Sequence, residues 1–129
     1  MLPALPLFEY AVLRVVPRVE REEFLNVGVV LLCRAQGFLQ CRFALAEPRL
    51  VAFAGAGLDA DDLLARLRAF EKICQGRHEG GPIGQLPPAE RFRWLTATRS
   101  TVLQTSAVHP GLCEDAPATL ARLFRELAA

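Results

Sequence analysis

An α+β domain, with an antiparallel sheet of about four strands and helices packed mainly on one face, is the fold this sequence predicts. Three observations carry that expectation. Alternating or continuous β-branched apolar runs crowd residues 9–45, capped segments with helical periodicity occupy 59–76 and 115–127, and a hydroxyl-rich strand returns late, over Thr101–Ser106. A single domain over residues 1–129 is expected, long enough to bury roughly 70% of the surface the unfolded chain exposes.

Glu9–Val16 sets Ala11, Leu13 and Val15 on one side and Tyr10, Val12, Arg14 and Val16 on the other, the period of a strand, and Pro17 ends it. Val27–Cys33 is nearly continuous in its apolarity, as a central strand covered on both faces requires. Arg34–Gly37 turns the chain into a third strand, Phe38–Leu45, with Gly37 supplying a positive φ. These three strands form a meander, and where the late strand docks is open. If the hairpin closes on a two-residue loop, one face collects Val30, Leu32, Leu39, Cys41 and Phe43 as core. The other collects Val27, Val29, Leu31, Cys33, Phe38, Gln40 and Arg42, joined by Tyr10, Val12 and Arg14 from the first strand. Such a half-apolar surface is either covered by the protein's own helices or used for association.

Glu47–Gly57, punctuated by Pro48, Gly55 and Gly57, reads as a helical turn and a loop. A full helix follows: Asp59 is its N-cap, Asp61 and Asp62 suit the positively polarised first turn, and Leu63, Leu67, Phe70 and Cys74 form its apolar stripe. Gly76–Leu86, with four glycines and Pro82, reads as the chain's mobile loop. Pro87-Pro88 opens a short helix through Leu95. Pro110-Gly111 is expected to turn the chain away from the late strand. Asp115 then caps a last helix with Leu120, Leu123, Phe124 and Leu127 on its packing side.

Composition removes several function classes. Fifteen basic against 14 acidic residues leave a net charge of +1, with no field for a phosphate backbone, so nucleic-acid binding is disfavoured apart from a modest cluster at Arg91, Arg93 and Arg99. The longest apolar run, Val27–Cys33, is far short of the ~20 residues of a membrane span. The N-terminal segment, with Pro3, Pro6 and Glu9 and no leading basic residue, does not read as a secretory signal. Cys33, Cys41, Cys74 and Cys113 have neither zinc nor disulfide-framework spacing, so reduced, mostly buried thiols in a cytoplasm are expected.

The most distinctive local pattern is Arg21-Glu-Glu-Phe-Leu-Asn-Val-Gly-Val-Val-Leu31. Asn26, the chain's single asparagine, stands just before Gly28 at the mouth of a buried strand. It either joins Arg21 and Glu23 in a recognition point or satisfies backbone groups of the turn, with Gly28 allowing a bulge or a close backbone approach. Together with Tyr10-Ala-Val-Leu-Arg14, Arg99-Ser100, Gln104-x-Ser106, Glu114-Asp115 and the closing Leu-x-x-Leu-Phe, this block resembles the bacterial domain-of-unknown-function family 3037, from about Tyr10 to Leu127. The resemblance implies no reaction. It implies a protein partner, since such domains look like companions of kinases similar to the HipA toxins, and it carries the polar residues Arg14, Arg21, Glu23, Asn26, Arg99, Ser100, Gln104 and Ser106. Where the family pattern has glycine after the first arginine of the block, this chain has Glu22, which puts a tight turn there in doubt.

Catalytic readings find little support in the residue inventory. Ser100 and Ser106 lack a well-placed histidine, because His109 lies roughly 10 Å along an extended chain from Ser106. Cys113 sits beside Glu114 and Asp115, which suppress its thiolate. Asp59, Asp61, Asp62 and the Glu20–Glu23 acids could ligate Mg²⁺, yet acids in a first helical turn are ordinary capping, and no metal or other cofactor is expected. Arg99 with the hydroxyls that follow could hold a phosphorylated peptide, or could head an ordinary strand.

The reading that results is a non-enzymatic accessory or regulatory protein-interaction domain, serving a separately encoded HipA-like kinase or a second copy of itself. Its expected interface is the half-apolar face: Tyr10, Val12, Val29, Leu31 and Arg42. The alternative is a small enzyme or ligand-binding domain that gathers Arg14, Glu23, Asn26, Arg99 and Ser100 into one pocket.

Overall fold

The computed structural model describes residues 4–55, 57–99 and 101–129. Strand β1 (Leu7–Val15) lies between β2 (Leu25–Cys33) on one side and two short late strands, β4 (Leu103–Thr105) and β5 (His109–Leu112), on the other. Strand β3 (Phe38–Phe43) pairs with β2 and closes the order β3-β2-β1-β4, all antiparallel. The helices are α1 (Glu47–Ala54), α2 (Ala60–Gln75), α3 (Gly81–Gly84), α4 (Pro88–Leu95) and α5 (Ala116–Leu127). The α+β class and the N-terminal meander are as the sequence predicts. No described helix is long and apolar enough to cross a membrane.

Each sheet face has its own core. Ala11, Leu13, Val15, Val30, Leu32 and Leu39 pack beneath α1, α2 and α4, where Leu50, Leu63, Leu67, Phe70, Cys74, Phe92 and Leu95 meet them. On the opposite face Phe8, Val29, Leu31 and Cys33 pack under α5 through Ala116, Leu120 and Leu123. The half-apolar face is therefore covered by the last helix, with Val29 and Leu31 wholly inaccessible. Burial of that apolar surface, at about 25 cal/mol per Å², is what holds α5 down.

The β2–β3 connection spans residues 34–37, since Cys33 stands opposite Phe38. Four residues instead of two preserve the phase, so the two side-chain sets face as expected with one exception. The register of β1 and β2 slips between Leu13 and Arg14, leaving Val27 and Gly28 together opposite Leu13. Val27 thereby swings to the α2 face and joins that core, contrary to simple alternation. Gly28 makes the bulge feasible: a Cβ there would lie 2.6 Å from the Arg42 carbonyl oxygen and 2.8 Å from Phe43 Cβ.

Three further expectations are corrected. Glu47–Gly57 holds an eight-residue helix in place of a single turn, because Leu50 enters the core. The glycine-bearing segment after α2 is a 3-10 turn (His78–Gly80) followed by α3, packed on α2 with Gly84 buried, not an open loop. Pro110-Gly111 does not leave the sheet but forms the middle of β5. Proline is tolerated on that outer strand, and Gly111 is required because a Cβ would stand 2.5 Å from the Phe8 ring.

Candidate functional site

Three of the sequence-selected polar residues form one row across the sheet. Arg14 on β1 stands opposite Asn26 on β2 and opposite Gln104 on β4. The Arg14 guanidinium lies over the exposed Phe24 ring, 3.9 Å from its centroid, in cation–π contact. Asn26 Nδ2 donates to the Leu127 carbonyl at 3.1 Å, satisfying a C-terminal carbonyl of α5 that has no partner within the helix. Arg14 Nε and Asn26 Oδ1 are buried without hydrogen-bond partners among the described residues. Gln104 turns its amide back onto the Thr101 carbonyl at 2.9 Å. The row therefore organises the junction of β1, β2, β4 and the end of α5.

Ser106 belongs to the backbone ladder. Its N–H donates to the Val12 carbonyl at 2.8 Å, and its Oγ accepts from the Val12 N–H at 2.8 Å. Just beyond it, Ala107 and Val108 occupy the space opposite Ala11 alone, since His109 then pairs with Tyr10. The hydroxyl replaces a carbonyl that this bulge between β4 and β5 has displaced, so neither Val12 group is left unpaired.

The remaining polar residues are elsewhere. Arg21 and Glu23 form an exposed ion pair at the rim of a cleft of about 350 Å³, lined also by Pro17, Arg18, Phe53 and Ala54. Arg99 stacks on Trp94 at 4.2 Å and donates to the Trp94 and Leu95 carbonyls, capping α4. Thr101 Oγ1 donates to the Leu103 carbonyl at 2.6 Å, so this hydroxyl, like that of Ser106, is occupied by the chain's own backbone. Ser100 lies outside the described residues. Arg14 and Asn26 come together, but Glu23 and Arg99 belong to separate surroundings. Among the described residues no group of three or more His, Cys, Asp or Glu side chains is placed to hold a metal ion.

The five residues of the expected interface separate as well. Val12, Val29 and Leu31 are buried, Tyr10 is half-buried in stacking contact with Phe8 and His109, and Arg42 alone is exposed, lying 5.4 Å from the Phe124 ring. The sheet ends in the short strands β4 and β5 on one side and in the longer β3 on the other, and the β3 edge is open. The Ala44 N–H donates to the Val27 carbonyl at 2.9 Å, so alternation turns the backbone groups of Gln40 and Arg42 toward β2 and those of Leu39, Cys41 and Phe43 outward. No described segment pairs with that outward row. Arg42 over Phe124 flanks the edge on one face, and Arg68 over Phe43, at 6.0 Å, flanks it on the other.

The family profile of DUF3037, described as a protein of unknown function, matches residues 10–128. The chain belongs to that family. No curated protein and no solved structure matches it. Glu22 takes the left-handed conformation, φ 56° and ψ 24°, with its N–H bonded to the Val19 carbonyl. The doubt over a tight turn there is resolved: the turn forms, with a side chain in a conformation that favours glycine.

A feature that sequence spacing hid is the pairing of the four cysteines. Cys41 packs with Cys74 in the core on the α2 face, and Cys33 with Cys113 in the core under α5. The neighbouring Cys41 and burial push the Cys74 thiol well above its ordinary value, while the Arg91 guanidinium acts in the opposite sense. Burial and the neighbouring Cys33 raise the Cys113 thiol. Cys41 and Cys74 both lie on stripes assigned to one core, which is the signal that could have found the first pair.

Proposed function

We propose that this DUF3037 chain is a non-enzymatic accessory domain that takes up an extended, acidic segment of a partner protein along β3. The observation that carries the reading is the outward row of unpaired backbone groups at Leu39, Cys41 and Phe43. An added strand would satisfy them by main-chain hydrogen bonds, the mode in which sheet edges recognise extended peptides. Arg42 gives one face of that edge a positive charge that favours carboxylates on the incoming strand, while Arg68 on the other face is paired with Glu71 at 3.6 Å. The family resemblance makes a separately encoded HipA-like kinase in a bacterial cytoplasm the first partner to test. Several of the polar groups in which a catalytic reading would place its chemistry are committed to helix ends and to the β1 ladder, which favours binding over reaction.

Hydrogen exchange of the chain alone and with the purified kinase tests this. The amides of Leu39, Cys41 and Phe43 should gain protection on binding while those of Gln40 and Arg42, already bonded to β2, change little. Cys41→Pro, which removes an outward N–H and leaves the β2 ladder intact, should abolish the complex without unfolding the chain. A complex that forms with those three amides still exchanging freely, or that survives Cys41→Pro, would overturn the reading.

A further inference from the structure

Cys41 and Cys74 are far apart in the chain, yet the register that sets Cys41 opposite Val30 directs its side chain to the α2 face, where Cys74 ends the helix's buried stripe. Cys41 packs against the core cluster that contains Cys74, near enough to push the Cys74 thiol up. Cys74 is 2% exposed, whereas Cys41, on the outermost strand, is partly exposed. We propose that Cys41 and Cys74 form an oxidation site at which the folded chain closes a disulfide, with a small-molecule disulfide such as oxidised glutathione as the oxidant.

The asymmetry in exposure sets the order of events. Cys41, within reach of solvent, attacks one sulfur of the oxidant as its thiolate; the oxidant's S–S bond breaks, a mixed disulfide forms on Cys41, and one thiolate leaves. Cys74 then attacks the Cys41 sulfur, displacing the second thiolate. The two protons released by the cysteines are taken up by the two leaving thiolates, so the protein loses two hydrogens and the oxidant is reduced to two thiols. Closure would tie β3 to α2 across the intervening chain and fix the edge strand against the helix.

The second pair supplies a built-in comparison. Cys33 and Cys113 likewise share one core cluster, but at 0% and 4% exposure neither can meet an oxidant while the chain is folded. Contact alone would make both pairs react alike; contact plus access confines reaction to Cys41 and Cys74. Because Cys41 and burial, with Glu71, raise the Cys74 thiol against the opposing Arg91 guanidinium, ring closure should accelerate as pH rises through the alkaline range.

The test treats the native chain with oxidised glutathione, blocks free thiols by alkylation, and maps peptides under non-reducing conditions. The expected result is a linked pair of peptides carrying Cys41 and Cys74, with Cys33 and Cys113 alkylated only after denaturation. Cys41→Ser should abolish the link, and Cys33→Ser should leave it unchanged. Should Cys74→Ser fail to fold, Cys74→Ala tests the same step, and glutathione should then remain on Cys41. Glutathione that stays on Cys41 in the unsubstituted protein, or links that involve Cys33 or Cys113 in the folded chain, would overturn the proposal.

Discussion

The two faces of the sheet each bury an apolar core but secure it differently. On one face three helices share the load, and α2 is fastened at its C-terminus by the buried Arg91, whose guanidinium donates to the carbonyls of Ile73, Cys74 and Leu86 at 2.7–2.8 Å. On the other face α5 works alone and is pinned at both ends by amides. Gln36 accepts from the Ala116 N–H at 2.9 Å and donates to the Glu114 carbonyl at 2.8 Å, while Asn26 holds the Leu127 carbonyl. Neutral amides stand in partly exposed positions and Arg91 in a buried one, in line with the greater strength of charge-assisted bonds where water is excluded. A face covered by one helix needs its register fixed from the ends; a face with three can rely on mutual packing.

The largest expected effect tests whether α5 is a true cover. Val29→Asp places a carboxylate under it with no partner, and the chain should lose at least about 4 kcal/mol and unfold, as circular dichroism would show. A folded variant with ordinary thermal stability would mean that α5 lifts readily and that this face can open to a partner. Next comes Arg91→Met, which leaves the three carbonyls unpaired and should cost about 3 kcal/mol in denaturant titration. A loss below 1 kcal/mol would show that α2 needs no fastening and would narrow the contrast between the faces.

Smaller effects sharpen the account of α5. Gln36→Ala and Asn26→Ala should each cost about 1 kcal/mol, add in the double variant because they act at opposite ends, and raise hydrogen exchange in α5 before α2. Equal acceleration in both helices would mean that the faces unfold together. The smallest change lies away from both faces: Glu22→Gly should stabilise the chain by about 0.5 kcal/mol, the relief of left-handed backbone partly offset by the freedom glycine gains on unfolding, visible as a slight rise in Tm.

Much of the architecture was legible because it follows from local periodicity and capping. The stripe Leu63, Leu67, Phe70 and Cys74 is buried as its spacing requires, Asp59 Oδ1 accepts from the Asp62 N–H at 3.0 Å, and Asp115 Oδ2 accepts from the Ala118 N–H at 3.1 Å. The meander followed from short connections. Strand β5 was not legible, since Pro110 and Gly111 carry a turn signature; only the Phe8 ring explains why glycine stands where a strand passes. Of the polar residues, chain order suggested a cluster. Placement divided them among a cross-strand row, a cleft rim and a helix end, because strand register and helix termini, not sequence proximity, decide which polar groups meet.

By itself, then, the sequence determined the α+β class, the caps, the apolar stripes and which residues share a strand face, all properties set within a few residues of chain. The tertiary structure alone decided that α5 covers the second face, that a bulge turns Val27 to the first, that β3 is left as an open edge, and that four dispersed cysteines meet as two pairs. Each of these depends on groups distant in sequence being brought together by packing, and burial free energy is non-directional, so a hydrophobic pattern specifies that a surface must be covered without specifying by what.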